Sequence, residues 1–455
     1  MNLRSYGARM SSALTALRPP SRLADVAPTD VRDAYVRLGL DVISDAQLCD
    51  LVTATLARPK IAPADSFVLH APLELLARTA LLPMVEPKAR DLARQRLVWL
   101  AATYAAAGDE VARSTPLSYP GVETAVDHLA TAISRGDVDG ADDAAAWLAA
   151  TVTPTELSRS LAESFLPRLS AAGHGAILLY LLPRIAPRSA CAAGMARGMV
   201  RELARHPDWN VIWHRLRRRP HTRSGTGSAE ASGDLIEALR RPRSPGDPAS
   251  NFIYPTMSIV ETSGLAAEVL DQPTQSTGIR QATRDLMRVA AWSMVQDDPD
   301  QVPYGWTHCM TMPQAALGIH GVAGIPESGA EPEDSIAVAA TYVLGFRATQ
   351  GRVNLDPAWV PDRLSDPDPL AALGAHPDEA ASGVWHAPEA DLPAIVARLV
   401  THAAVHPDAH LAKYTLACLD ASNADPAAGR LYLAAAAYLG AWWAEHPVAE
   451  DPLIS

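Results

Sequence analysis

The stretch Gly173-His-Gly-Ala-Ile-Leu-Leu-Tyr-Leu-Leu182 is apolar on nearly every side of a helix. A helix without a polar stripe has to be enclosed by other elements, so this one belongs at the centre of the molecule. The rest of the chain supplies enclosing helices. Ala and Leu recur at spacings of three and four, and β-branched alternation is scarce, which is the 3.6-residue period rather than the two-residue one. No fixed-period repeat and no strand-rich region appears in the 455 residues, 48% of which are hydrophobic. The sequence therefore predicts an all-α fold: one large helical-bundle domain over residues 1–455, undivided or in two lobes.

Local signals predict the helix ends. Thr29 is a candidate cap for the first helix, Ser44 opens a second that runs to about Leu56, and Phe67 to Leu82 is a third. A long helix from Glu86 to Ala107 ends at Gly108. Thr153-Pro-Thr-Glu156 places proline at the first helical position and glutamate three residues after the cap. Ala190 to Arg205, Trp209 to Leu216 and Gly278 to Val295 also read as helices. Three stretches break the pattern: a loosely ordered N-terminus at 1–28, a mobile Arg/Gly/Ser-rich insertion at 217–250, and an irregular Asp-, Pro- and Ala-rich connection at 350–389.

Net charge is −12, from 39 Lys+Arg against 51 Asp+Glu, which argues against a nucleic-acid binder. Cys49, Cys191, Cys309 and Cys418 form no CxxC pair, so reduced thiols in a cytoplasmic protein are expected rather than a disulfide framework or a thiolate zinc site. No secretory signal is seen, and the apolar run Ala176 to Leu182 is too short to span a bilayer, so no membrane association is expected. No Gly-x-Gly-x-x-Gly follows a strand, which removes support for a flavin- or NADPH-dependent enzyme.

Among the fourteen histidines, four lie in apolar helices, where an imidazole must find a partner for each nitrogen: His70, His174, His308 and His410. They are either four separate structural hydrogen-bonders or four ligands converging on one metal inside the bundle. His402, His406, His410 and Lys413 would share one face of an unbroken helix, but Pro407 interrupts it, with His406 as the expected cap and a restart at Pro407. Lys413 either snorkels to water or sits in an apolar site as a partly neutral amine. A neutral amine takes up carbon dioxide as a carbamate, which turns a cation into an oxygen ligand. Trp306, Tyr304 and Tyr414 are candidates to line an aromatic pocket or to pack the core.

Four patches in order along the chain, Leu69-His-Ala-Pro-Leu-Glu-Leu-Leu76, Gly173-His-Gly-Ala-Ile-Leu-Leu179, Trp306-Thr-His-Cys-Met-Thr311 and Asp408-Ala-His-Leu-Ala-Lys-Tyr-Thr415, together resemble the questin oxidase-like family. The chain departs from the family pattern at Leu69, where the family has asparagine, at Leu178, where it has arginine, and at Leu181, where it has a second histidine. The resemblance implies a cofactor-independent or iron-dependent oxygenase of aromatic polyketides or quinones, with ring cleavage or a Baeyer–Villiger-like outcome, dioxygen as co-substrate and a small aromatic molecule as partner. The better-defined site that the resemblance implies is a non-haem iron, Fe(II), with Mn or Zn as alternatives, held by His70, His174, His308, His410 and a carboxylated Lys413, with Lys413 and His308 at the reacting centre. His402 or His406 is an alternative to His410. The rival expectation is a non-catalytic all-α ligand-binding protein that uses the same pocket without metal. The oligomeric state, a homodimer among the options, stays open.

Overall fold

The computed structural model describes residues 23–112, 117–185, 189–211, 235–242, 253–265, 278–319, 332–363, 368–448 and 451–453. Among these the secondary structure is helical, with two isolated β-bridges and no strand, so the protein is all-α. The buried apolar side chains form one contiguous cluster.

Four helices position the site. We label them within a chain-order series: α1 Val31–Arg37, α2 Asp45–Leu56, α3 Ser66–Leu81, α4 Arg90–Ala106, α5 Val122–Arg135, α6 Val138–Thr151, α7 Pro154–Phe165, α8 Gly175–Ile185, α9 Ala196–Arg205, α10 Leu235–Leu239, α11 Ile253–Thr262, α12 Gly278–Gln296, α13 Thr307–Gly318, α14 Pro332–Gln350, α15 Pro369–Ala372, α16 Pro377–His386, α17 Leu392–Val405, α18 Ala409–Ala424 and α19 Gly429–Glu445. Helix α3 packs on α8, α8 on α13, α13 on α18, and α18 back on α3, which closes a four-helix ring. The apolar segment 173–182 is the α8 side of that ring, and all but one of the residues from Gly175 to Leu182 are buried. Helices α14 and α12 cover α13, and α19 covers α18.

Several ends follow the local chemistry. Ser44 and Gln47 form a reciprocal capping box that starts α2, and Thr153 with Glu156 does the same for α7, with Pro154 in the first position. Other ends differ from expectation. The Thr29 side chain caps nothing; a 3₁₀ turn at Pro28–Asp30 leads into α1 instead. Trp209 is not helical: its neighbour Asn210 makes an isolated bridge to Arg168, and the Trp209 carbonyl accepts from Leu169 N at 2.9 Å. Residues 212–216 of that expected helix lie outside the described residues.

Of the expected loose N-terminus, residues 1–22 lie outside the described residues, while Leu23 and Val26 are buried. Most of the expected mobile insertion at 217–250 is likewise outside them. The described part contains helix α10, and the carbonyls of its last residue, Leu239, and of the following Arg240 accept from the buried Arg347. The connection at 350–389 contains α15 and α16, each started by a residue that caps it through its side chain, Asp368 and His376. Short helices with proline at the first turn escape a periodicity search, because one or two turns show too little of the pattern.

One helical stretch, Ser66–Met84, is long and apolar enough to cross a membrane by length and composition, but it is 72% buried inside the protein. It also carries buried Glu74 and Arg78, so it is a core helix of the bundle. All four cysteines are free.

Candidate metal centre

Each helix of the four-helix ring brings one histidine to a common point near its N-terminal end. His70 is in the second turn of α3, His174 immediately precedes α8, His308 is the second residue of α13 and His410 the second of α18. The ring centroids follow the order of helix packing: His70 to His174 is 4.6 Å, His174 to His308 is 5.1 Å, His308 to His410 is 4.9 Å, and His410 to His70 is 4.6 Å. His70, His308 and His410 each place a ring nitrogen within 4.8 Å of the other two. His174 joins through His308, with their Nε2 atoms 3.2 Å apart.

The tautomers follow from the other nitrogen of each ring. His70 Nδ1 donates to the Ser66 carbonyl at 2.6 Å, His174 Nδ1 to the Ala171 carbonyl at 3.1 Å, and His308 Nδ1 to the Tyr304 carbonyl at 2.6 Å. His410 Nδ1 faces the Asp408 carboxylate at 3.2 Å. A carbonyl or carboxylate oxygen only accepts, so each Nδ1 carries the proton and each Nε2 a lone pair. Burial holds all four imidazoles well below their usual 6.5 and so keeps them neutral. Two lone pairs therefore face each other at 3.2 Å between His174 and His308, while His70 Nε2 and His410 Nε2 are buried with no partner. Four neutral imidazoles, each oriented through its outer nitrogen by an acceptor, are a donor set that could hold a metal ion. Two nitrogens about 3 Å apart also suit neighbouring ligands at about 2.1 Å from one ion.

The backbone around each ring is specialised. Before His174 the chain runs through three residues at positive φ: Ala171 (53°), Ala172 (50°) and Gly173 (69°). That left-handed turn aims the Ala171 carbonyl at both His174 N and His174 Nδ1. A Cβ on Gly173 would also meet Met312 Cε at 2.8 Å. Gly173→Ala is therefore expected to cost at least about 1–2 kcal/mol from the left-handed backbone alone, and denaturant unfolding measures it. Before His308 a π-helical turn, Val302–Trp306, widens the helix by a residue and delivers the Tyr304 carbonyl to His308 Nδ1. Such turns are frequent at functional sites. A Cβ at Gly305 would lie 1.9 Å from Gln350 Oε1, so a larger residue there would require the Gln350 amide to move.

The turn between α17 and α18 departs from the expected one. His406 is the C-terminal cap of α17 in extended conformation, and the next helix starts at Ala409, capped by Asp408 through its carboxylate to His410 N and Leu411 N. The same carboxylate holds the His410 ring, so one residue starts the helix and orients the ring. Sequence reasoning missed Asp408, although an aspartate two residues before a histidine, just after proline, was the available signal. His402 and His406 pair with each other 5.5 Å apart, and His406 meets Trp443, away from the four-ring group. His410 is the member of that run that joins the cluster.

Lys413 lies one turn beyond His410 on α18 and is 3% exposed, so it does not snorkel; its Nζ is buried without a partner. Burial pushes its pKa down to about 7, against the pull of Asp408 and Glu74. Of the three candidate pocket aromatics, Trp306 and Tyr414 are fully buried, and the Trp306 indole donates to the Asp298 carbonyl. Those two are core. Tyr304 is the exception, 49% exposed with its ring edge-on to His410 at 5.0 Å.

The pH dependence of the metal-free chain follows. For each of the four histidines the folded pKa lies below 6.5, so the unfolded state takes up protons first and stability falls as pH drops below 6.5. Lys413, with a folded pKa of about 7, costs stability fully below 7 and releases that cost as pH rises toward 10.5. The thermal midpoint measured without metal is expected to climb from pH 5 to pH 9, with Lys413→Met flattening the part above about 7.

No family model, curated protein or solved structure matches the chain.

Proposed function

We propose that the protein is a metal-dependent oxygenase, of the questin oxidase-like type, that acts on an aromatic polyketide or quinone-type substrate in the cytoplasm. The observation that carries the reading is the convergence of four neutral imidazoles on one buried point with their lone pairs unmatched. Iron suits nitrogen donors joined by a hard oxygen, with manganese or zinc as the alternative ions. Bound Fe(II) would supply the redox chemistry by which dioxygen reacts with a phenolic ring.

The chain's own groups do the rest. His70, His174, His308 and His410 would hold the ion, and the Ser66, Ala171 and Tyr304 carbonyls with the Asp408 carboxylate keep the rings in the binding tautomer. Lys413 Nζ, driven toward the neutral amine by burial, forms a bond to the carbon of carbon dioxide and loses a proton. The resulting carbamate offers an anionic oxygen in a site otherwise lined by neutral nitrogens. The buried surround excludes bulk water from the centre. Metal binding would satisfy His70 Nε2 and His410 Nε2, and carboxylation would give Lys413 Nζ a partner, three groups that are otherwise buried and unmatched.

Metal analysis of freshly purified protein tests the reading. Iron near one equivalent, with a carbamate signal on Lys413 after ¹³C-labelled bicarbonate, is the expected result. A folded, metal-free protein that takes up no iron on reconstitution would sink it.

A further inference from the structure

Tyr304 is the one residue of the π-helical turn that reaches the surface; its four neighbours in that turn are buried. Its main chain and side chain have separate tasks. The carbonyl accepts from His308 Nδ1 at 2.6 Å and from Thr307 Oγ1 at 2.9 Å, which locks the backbone. The ring, half exposed, lies edge-on to His410 at 5.0 Å and to Trp443 at 6.5 Å. Trp443 is itself buried, 6% exposed, and its indole N–H has no acceptor. A buried donor without an acceptor is costly, and an oxygen supplied by a ligand would satisfy it. His410 also packs against the His70 and His308 rings, and its Nδ1 faces the Asp408 carboxylate, so among the described residues Tyr304 is its one half-exposed ring neighbour.

We infer that Tyr304 is the wall through which small molecules reach the four-histidine centre. A planar aromatic ketone packs its ring against Tyr304 and accepts from Trp443 Nε1–H. The inference rests on the proposed function for the ligand's role, but not for its test. Aromatic pairs favour the edge-on and offset arrangements that Tyr304 already makes, so a flat ring can replace one of its present contacts. The fit to a ketone comes from the donor-only character of the indole nitrogen.

The experiment uses the full chain with no metal added, so it stands whether or not iron binds. Diethyl pyrocarbonate acylates accessible imidazoles, and peptide mass spectrometry reads the rate at His410. Tyr304→Ala is expected to raise that rate about tenfold, because the ring no longer has to open first. Tyr304→Phe should restore the parent rate, which a general loosening would not do. Chromone, a small planar aromatic ketone, is expected to slow acylation of His410 in the parent chain and in Tyr304→Phe, with weaker protection in Trp443→Phe. An unchanged His410 rate in a folded Tyr304→Ala protein would overturn the proposal, as would a parent chain that chromone does not protect. A protein that behaves as expected here but takes up no iron on reconstitution would overturn the oxygenase reading and leave this wall intact.

Discussion

Replacing His308 by alanine is expected to remove the whole metal-linked part of the protein's stability. Anything that binds the folded chain alone stabilises it by mass action, by about 2.7 kcal/mol at a metal concentration one hundred times Kd. His308 is the hinge of the cluster. It contacts the rings of His174 and His410, shares the 4.8 Å triad with His70 and His410, and is the residue through which His174 joins. Without it His174 Nε2 loses the nitrogen that faces it at 3.2 Å and keeps only its ring contact with His70, so the remaining nitrogens no longer enclose one point. Unfolding curves with and without Fe(II), or with Zn(II) as an air-stable probe, measure the effect. The parent chain should gain and His308→Ala should not. His402→Ala is the control, since that ring pairs with His406 outside the cluster; it should keep the full gain. A parent chain whose unfolding midpoint ignores both ions would contradict the metal reading.

The second large effect is expected at Arg78, which lies two turns beyond His70 on α3 and is 1% exposed. Its guanidinium pairs with buried Glu74 at 2.6 Å. It also donates to the Ala403, Ala404 and His406 carbonyls at 2.9, 2.7 and 2.6 Å. These carbonyls end α17, so one side chain ties the helix of His70 to the turn that presents Asp408 and His410. Arg96 reinforces the same turn by donating to the Val405 carbonyl at 2.9 Å, and it pairs with Asp451. Burial raises the Glu74 carboxyl, and Arg78 opposes that rise. Arg78→Met leaves a buried acid and three carbonyls without a donor, so a loss of about 3–5 kcal/mol is expected in urea unfolding. Because Arg78 supports the turn that orients His410, metal affinity should fall about 10–100-fold, measured by competition with a chelator. Arg78→Lys should recover little, since a point charge cannot serve a fork of separate acceptors. An Arg78→Met protein of parental stability would show that the clamp is dispensable.

Much of the site was legible in residue types. His70, His174, His308 and His410 stand out because a polar ring on an apolar helix must be matched by something, and the structure brings those four together. Lys413 stood out for the same reason. What escaped was the set of groups that orient them. Asp408 looks like any helix cap, and the Ser66, Ala171 and Tyr304 carbonyls have no side-chain signature at all. Tyr304, Trp306 and Tyr414 were equivalent candidates by composition; only burial separates the half-exposed Tyr304 from the two core rings.

The chain by itself determined that the protein is helical, where most long helices run, and which side chains would be costly to bury. Those are local matters, set by residue period, caps and transfer free energies. Only the tertiary structure decided that the four costly rings share one point rather than four separate ones. That depends on the cyclic packing of α3, α8, α13 and α18, and on a left-handed turn and a π-helical turn that set each ring's direction. Contacts between residues more than a hundred positions apart leave no trace in local periodicity, because each helix end forms on its own terms and the meeting point exists only once they pack.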